Sequence, residues 1–160
     1  DYGHGMLSPD AIELLCDRSR FLALNTQANA GNRGFNTPSK YRRADFIRVS
    51  ENEIRLEARN RRSDLRDIIM EVSQKLSCDQ LVITRGQTGS LSYGNTEGFF
   101  EVPAFALQVA DRMGAGDTVL SITALYAAQG ARLEIIGFIS NVVSFTIGTN
   151  ALVPYVQEGL

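Results

Sequence analysis

The sequence predicts one α/β domain whose mostly parallel sheet is covered by helices. Three observations carry this. Short strand-like runs alternate with segments whose apolar residues recur at helical spacing. The run FLALN (residues 21–25) is almost continuously apolar, as strands buried on both faces are. The chain has 160 residues, 44% of them hydrophobic, which is enough for one core, and it shows no internal repeat or low-complexity tract.

Each element has a local cause. In SPDAIELLCDRSR, Ser8 can cap a helix, Pro9 suits its first position, and Ile12, Leu15 and Cys16 share a face. The FLALN strand follows, then a long loop rich in Asn and Gly (26–40). ADFIRV (44–49) is the second strand. Ser50 and Glu53 then form a capping box for a helix running to about Arg59. Asp64 caps the next helix, with Leu65, Ile68, Ile69, Val72 and Leu76 at helical spacing. DQLVITRG is the third strand, ending in Gly86. SLSY and GFFEVPA form an antiparallel pair around the turn Gly94-Asn95. Two helices close the chain, over about 115–129 and 133–146.

Composition excludes several classes. A formal net charge of −2 gives no reason to expect a nucleic-acid partner. No apolar run is long enough to span a bilayer, and no signal-peptide pattern opens the chain, so no membrane partner is expected. Cys16 and Cys78 fall in predicted helical segments and form no CxxC pair. With one histidine in the chain, a structural zinc site is not expected. Both cysteines read as buried free thiols in a reducing cytoplasm.

The chemistry concentrates in DRMGAGDTVLS (111–121). The first amides of a helix lack intrahelical partners and lie at the positive end of its dipole. Gly114, Ala115 and Gly116 clear side chains from that end, which makes a cradle for phosphate oxygens. Asp117 beside it can accept a proton from an attacking hydroxyl. Amides for the moving phosphoryl group and a carboxylate for the nucleophile suffice in outline for phosphoryl transfer to an alcohol. The plainer alternative is that Asp117 is an ordinary first-turn acid and the glycines a loop.

The wider pattern resembles the ribokinase (PfkB-type) carbohydrate kinases. DRMGAGDTVLS resembles their D-T-x-G-A-G-D-x-F signature, LVITRGQTGSLSY their strand-turn-strand V-T-x-G-x-x-G, DYGHGML the D-Y-G-K-G stretch of the sugar-heptose kinase branch, and TIGTNALVP the closing helix and tail. The resemblance implies a ribokinase-like, Rossmann-type three-layer fold, seen here as the nucleotide-binding and catalytic C-terminal half without its N-terminal half. The opening DYGHG, which reads as a strand end and a turn, fits that expectation. Asp117 becomes the catalytic base and the amides of Gly114, Ala115 and Gly116 the anion hole. Thr84 and Gly86 lie along ATP, with Gly89 permitting the turn. Asp111 and Arg112 face the sugar substrate, Arg112 standing where the family has Thr. The magnesium-associated N-x-x-E motif reads best as Ser50 to Glu53, keeping the acid and losing the Asn. The shifted register, Asn52 to Arg55, does the reverse. For Glu53, an Mg2+ role and a capping role stand side by side. Gly137 falls where the family often has an Asn near the adenine, and Asn141 lies one turn further on.

Two functions follow. One is the catalytic half of a cytoplasmic carbohydrate kinase that phosphorylates a sugar or sugar phosphate. The other is a nucleotide-binding or assembly module that kept the fold and lost turnover. A missing half would expose a sheet edge and apolar surface, so a homo-oligomer is expected. A Rossmann dehydrogenase is not supported, because GAGD lacks the G-x-G-x-x-G spacing.

Overall fold

The computed structural model describes residues 1–105 and 114–148. Its elements in chain order are α1 (Pro9–Arg18), β1 (Ala23–Leu24), β2 (Phe46–Ser50), α2 (Glu51–Glu57), α3 (Leu65–Lys75), β3 (Gln80–Thr84), β4 (Ser90–Gly94), β5 (Gly98–Val102), α4 (Ala115–Ala128) and α5 (Leu133–Gly148). Short 3₁₀ turns at Pro38–Lys40 and Gly86–Thr88 complete it.

The five strands form one sheet in sequence order. β1, β2 and β3 run parallel, and the β4–β5 hairpin adds antiparallel to β3. The hairpin expected around Asn95 therefore belongs to the same sheet, which makes that sheet mixed. The first strand is shorter than the apolar run 21–25 suggests: only Ala23 and Leu24 pair, with Phe46 and Ile47.

Side-chain alternation sorts the strands into two faces. Ile47, Val49, Leu81, Ile83 and Leu91 pack against α1, α2 and α3 through Ile12, Cys16, Ile54, Ile68, Ile69 and Val72. Phe46 and Val82 pack the other way, against Ala127 and Ile136 of α4 and α5. The result is three layers, as expected. A fully buried aliphatic side chain of this kind contributes about 1.5–3 kcal/mol. Leu15, expected on the buried face of α1, is instead 36% exposed.

The predicted caps form. Ser8 Oγ accepts from Ala11 N at 3.2 Å, and Asp64 Oδ1 from Arg66 N at 2.7 Å. The capping box of α2 is closed in both directions. Both cysteines are free and buried. Cys78 lies in the turn between α3 and β3 rather than in a helix, because α3 ends at Lys75 and Leu76 caps it. Burial pushes its thiol up to about 12, so it stays protonated and unreactive. Among the described residues no helix is long and apolar enough to cross a membrane.

Glu57 ties α2 to its surroundings. Its side chain, 1% exposed, accepts from Lys75 Nζ at 2.7 Å and from Ser39 N at 3.0 Å. Burial alone raises this carboxyl, but the hydrogen bonds from Lys75, Ser39 and Thr37 outweigh burial and leave it below its ordinary value. A carboxyl depressed in the folded state stabilises that state above its unfolded pKa, about 4.3, and the contribution disappears as pH falls through the folded value. Acid unfolding followed between pH 3 and 7 is therefore expected to show stability falling at the low end. Glu57→Gln should flatten that fall and cost roughly 1–3 kcal/mol at neutral pH. Equal slopes for the two proteins would remove Glu57 from the linkage.

Candidate nucleotide and phosphoryl-transfer site

A cavity of about 760 Å³ opens at the carboxyl ends of β2 and β3. Open α/β sheets place ligands at such strand ends, and the volume lies in the range of small-molecule sites. Of the residues singled out from the sequence, Glu53, Thr84, Gly86, Gly89, Ala115, Gly116 and Asn141 line this one space. Gly114 and Asp117 stand beside it on the first turn of α4. Asp111 and Arg112 lie outside the described residues, as does the tail after Gly148.

The glycines are required for different reasons. Gly114 caps α4 at φ 74°, a left-handed conformation that favours glycine. Gly89 also has a positive φ, 98°, and a Cβ there would come within 2.0 Å of the Val102 carbonyl oxygen. It permits the turn, as expected, and lets that turn close onto β5. Gly116 is already helical. What a Cβ would meet there is Arg48 Nη1, at 2.6 Å.

Arg48 is the functional candidate that the sequence reading passed over. Alternation places it on the α4 face of β2, between the buried Ile47 and Val49. Its Nη2 donates to Thr84 Oγ1 at 3.0 Å, while its Nε is shielded from solvent and has no partner. Burial pushes the guanidinium below its ordinary pKa, and the carboxylates of Glu53 and Asp117 oppose that. The available signal was an arginine inside an apolar strand covered on both faces.

Glu53 plays its capping role in full. Oε2 accepts from Ser50 N and Ser50 Oγ, both at 2.8 Å, and Oε1 accepts from Ala28 N at 3.1 Å. A carboxylate offers about four acceptor positions, so about one remains. That leaves room for one contact to a hydrated magnesium ion, through a water or one oxygen, and not for a bidentate one. Among the described residues no group of three or more His, Cys, Asp or Glu is placed to hold a metal. Asn141 lines the cavity but is engaged: Nδ2 donates to Ser90 Oγ at 2.5 Å and to the Gly137 carbonyl at 3.1 Å. Gly137 itself brings α5 close to the sheet, where a Cβ would sit 2.8 Å from Ser92 Oγ.

Asp117 is exposed, and its carboxylate accepts a hydrogen bond from the Tyr2 hydroxyl. That bond, followed by the carboxylate's charge, raises the Tyr2 phenol above its ordinary value. Asparagines of the long loop hold Tyr2 in place. Asn29 Nδ2 and Asn32 Nδ2 donate to the Tyr2 carbonyl at 3.1 and 2.6 Å, and Asn36 Nδ2 donates to the Asp1 carbonyl at 2.8 Å. The sequence marked this stretch as a loop. Its work is to dock the segment that reaches Asp117.

Comparisons with known proteins bear on the family and the fold. Residues 28–149 match the pfkB family carbohydrate kinase description. The bifunctional protein HldE of Citrifermentans bemidjiense is 28% identical over 161 residues, covering 96% of this chain and 32% of that protein. HldE of Granulibacter bethesdensis is 31% identical over 160 residues, covering 94% and 32%. A mutant phosphofructokinase-2 from Escherichia coli superposes with a TM-score of 0.72 at 14% identity, over 93% of this chain and 51% of that one. Arabidopsis thaliana ribokinase, solved with ribose and ATP, gives 0.57 at 22% identity, over 69% and 37%. The chain thus spans about a third of the length of these curated relatives, and the structural likeness shows a shared fold.

Proposed function

The chain belongs to the pfkB family of carbohydrate kinases, and from that premise we propose that it forms the nucleotide-binding and catalytic part of an ATP-dependent sugar or sugar-phosphate kinase. One observation carries the reading most directly: glycine turns far apart in sequence, at Gly86–Gly89 and at Gly114–Gly116, converge on a single cavity beside Asp117.

In this reading the triphosphate lies from Thr84 and Gly86 toward the first amides of α4. Asp117 takes the proton of the acceptor hydroxyl as its oxygen bonds to the γ-phosphorus and the bond to ADP breaks. The Tyr2 hydroxyl now occupies an acceptor position on that carboxylate, so the sugar hydroxyl displaces it or shares the carboxylate with it. A magnesium ion bound with the nucleotide would supply neutralisation of phosphate charge. Glu53 can hold one of its waters.

The test is calorimetry with ADP and with ATP, with magnesium present. Binding of modest affinity is expected. No heat and no thermal shift at millimolar nucleotide, on protein shown to be folded, would remove the nucleotide site.

We also propose that the protein self-associates. On α4 and α5, Leu125, Tyr126, Ile135 and Phe138 are 64, 42, 46 and 54% exposed, an amount of apolar surface that calls for cover. Light scattering across a wide concentration range is expected to show a dimer or larger species. A clean monomer throughout would count against it.

A further inference from the structure

Arg48 carries a buried positive charge to the positive end of a helix, where the carboxylates of Glu53 and Asp117 offset only part of the effect of its burial. Its Nη1 stands against Gly116, the second residue of α4, where free amides and the dipole present the positive end of a 14-residue helix. Thr84 Oγ1 accepts one of its N–H groups, Nε has no partner, and among the described residues the guanidinium forms no ion pair. A guanidinium has five N–H donors and loses much hydration when covered. Holding it there costs free energy that Glu53 and Asp117 offset only in part, since neither is hydrogen-bonded to it. The missing component is an oxyanion that both the guanidinium and the α4 amides can bind. The cavity opens at this point, with Arg48, Thr84, Ala115 and Gly116 all in its wall.

We propose that Arg48 is a built-in phosphate-binding residue of the nucleotide site, its guanidinium held by Thr84 and donating to the phosphate oxygens bound at the α4 N-terminus. This rests on the nucleotide reading above and adds to it. A fixed guanidinium beside the phosphates supplies part of the charge neutralisation that a metal ion would otherwise supply alone. Nucleotide diphosphates therefore bind with a component that persists without magnesium.

The experiment uses the full native chain and two probes, ADP and adenosine, each titrated with magnesium and with EDTA. Wild type is expected to bind ADP in both conditions. Arg48→Met should weaken ADP by roughly 10–100-fold, with the larger relative loss in EDTA, and leave adenosine unchanged. A purely structural arginine, which only ties β2 to β3, would shift both probes alike, and that outcome overturns the proposal. So does ADP binding that Arg48→Met leaves intact. If wild type binds neither probe, the nucleotide reading itself falls, and this proposal with it. Should Arg48→Met fail to fold, Arg48→Lys and Gly116→Ala take its place. The first keeps charge and loses the fork. The second pushes Nη1 aside. Each is expected to weaken ADP by about tenfold with adenosine unchanged, and an unaltered ADP affinity in both would overturn the assignment.

Discussion

Asp117→Asn is expected to lower phosphoryl transfer by about 10²–10⁴-fold while leaving nucleotide affinity intact. The reason is protonation, not shape. Asn is nearly isosteric with Asp, and its Oδ1 can still accept the Tyr2 hydroxyl. Its amide cannot take up the proton of an attacking hydroxyl at neutral pH. The fold should survive with a small loss, about 0.3–1 kcal/mol, because a first-turn carboxylate favours its helix. Triphosphate affinity is expected to stay level or rise slightly, since a negative charge beside the γ-phosphate has gone. Transfer rate and affinity are measured as a pair in the complete protein. A variant that keeps most of its transfer rate would reduce Asp117 to a helix-start acid.

Gly116→Val is expected to act on binding instead. Strain is not the cause, since Gly116 is helical and its backbone suits any residue. The cause is space: a Cβ already falls 2.6 Å from Arg48 Nη1, and branching widens the collision. The guanidinium must move off Thr84, and the added methyl groups cover the amides that would hold phosphate. Affinity for ADP should drop by about 100-fold or more, with a stability cost of roughly 1–3 kcal/mol from overpacking. A folded Gly116→Val protein that binds ADP like wild type would show that phosphate is held elsewhere. Together the two variants separate catalysis from binding on adjacent residues of one helical turn.

Much of this was legible in the sequence because it is local. A cap reads within three or four residues, so Ser8, the Ser50–Glu53 box and Asp64 could each be placed on inspection. The α4 start announced itself by small residues before an acid. The family signatures then named Thr84, Gly86 and Gly89, and all three line the cavity. Glu53 kept two readings open, and the structure shows why: the same carboxylate closes the cap and faces the cavity.

What the sequence determined by itself, then, was the order and type of nearly every element, the α/β class and the glycine-acid turn, because periodicity and capping act over a few bonds. The tertiary structure decided the rest. That Arg48 lies beneath Gly116 depends on the β2 register against β3, which pairs Arg48 with Val82 and Ser50 with Thr84, and on α4 crossing that face of the sheet. That Tyr2 meets Asp117, 115 positions away, depends on asparagines docking a loop that looked like a connection. That Asn141 is engaged by Ser90 depends on how closely Gly137 lets α5 approach β4. Each is a contact between segments far apart in the chain, and such contacts are chosen by the packing of whole faces against one another, which no short window of residues contains.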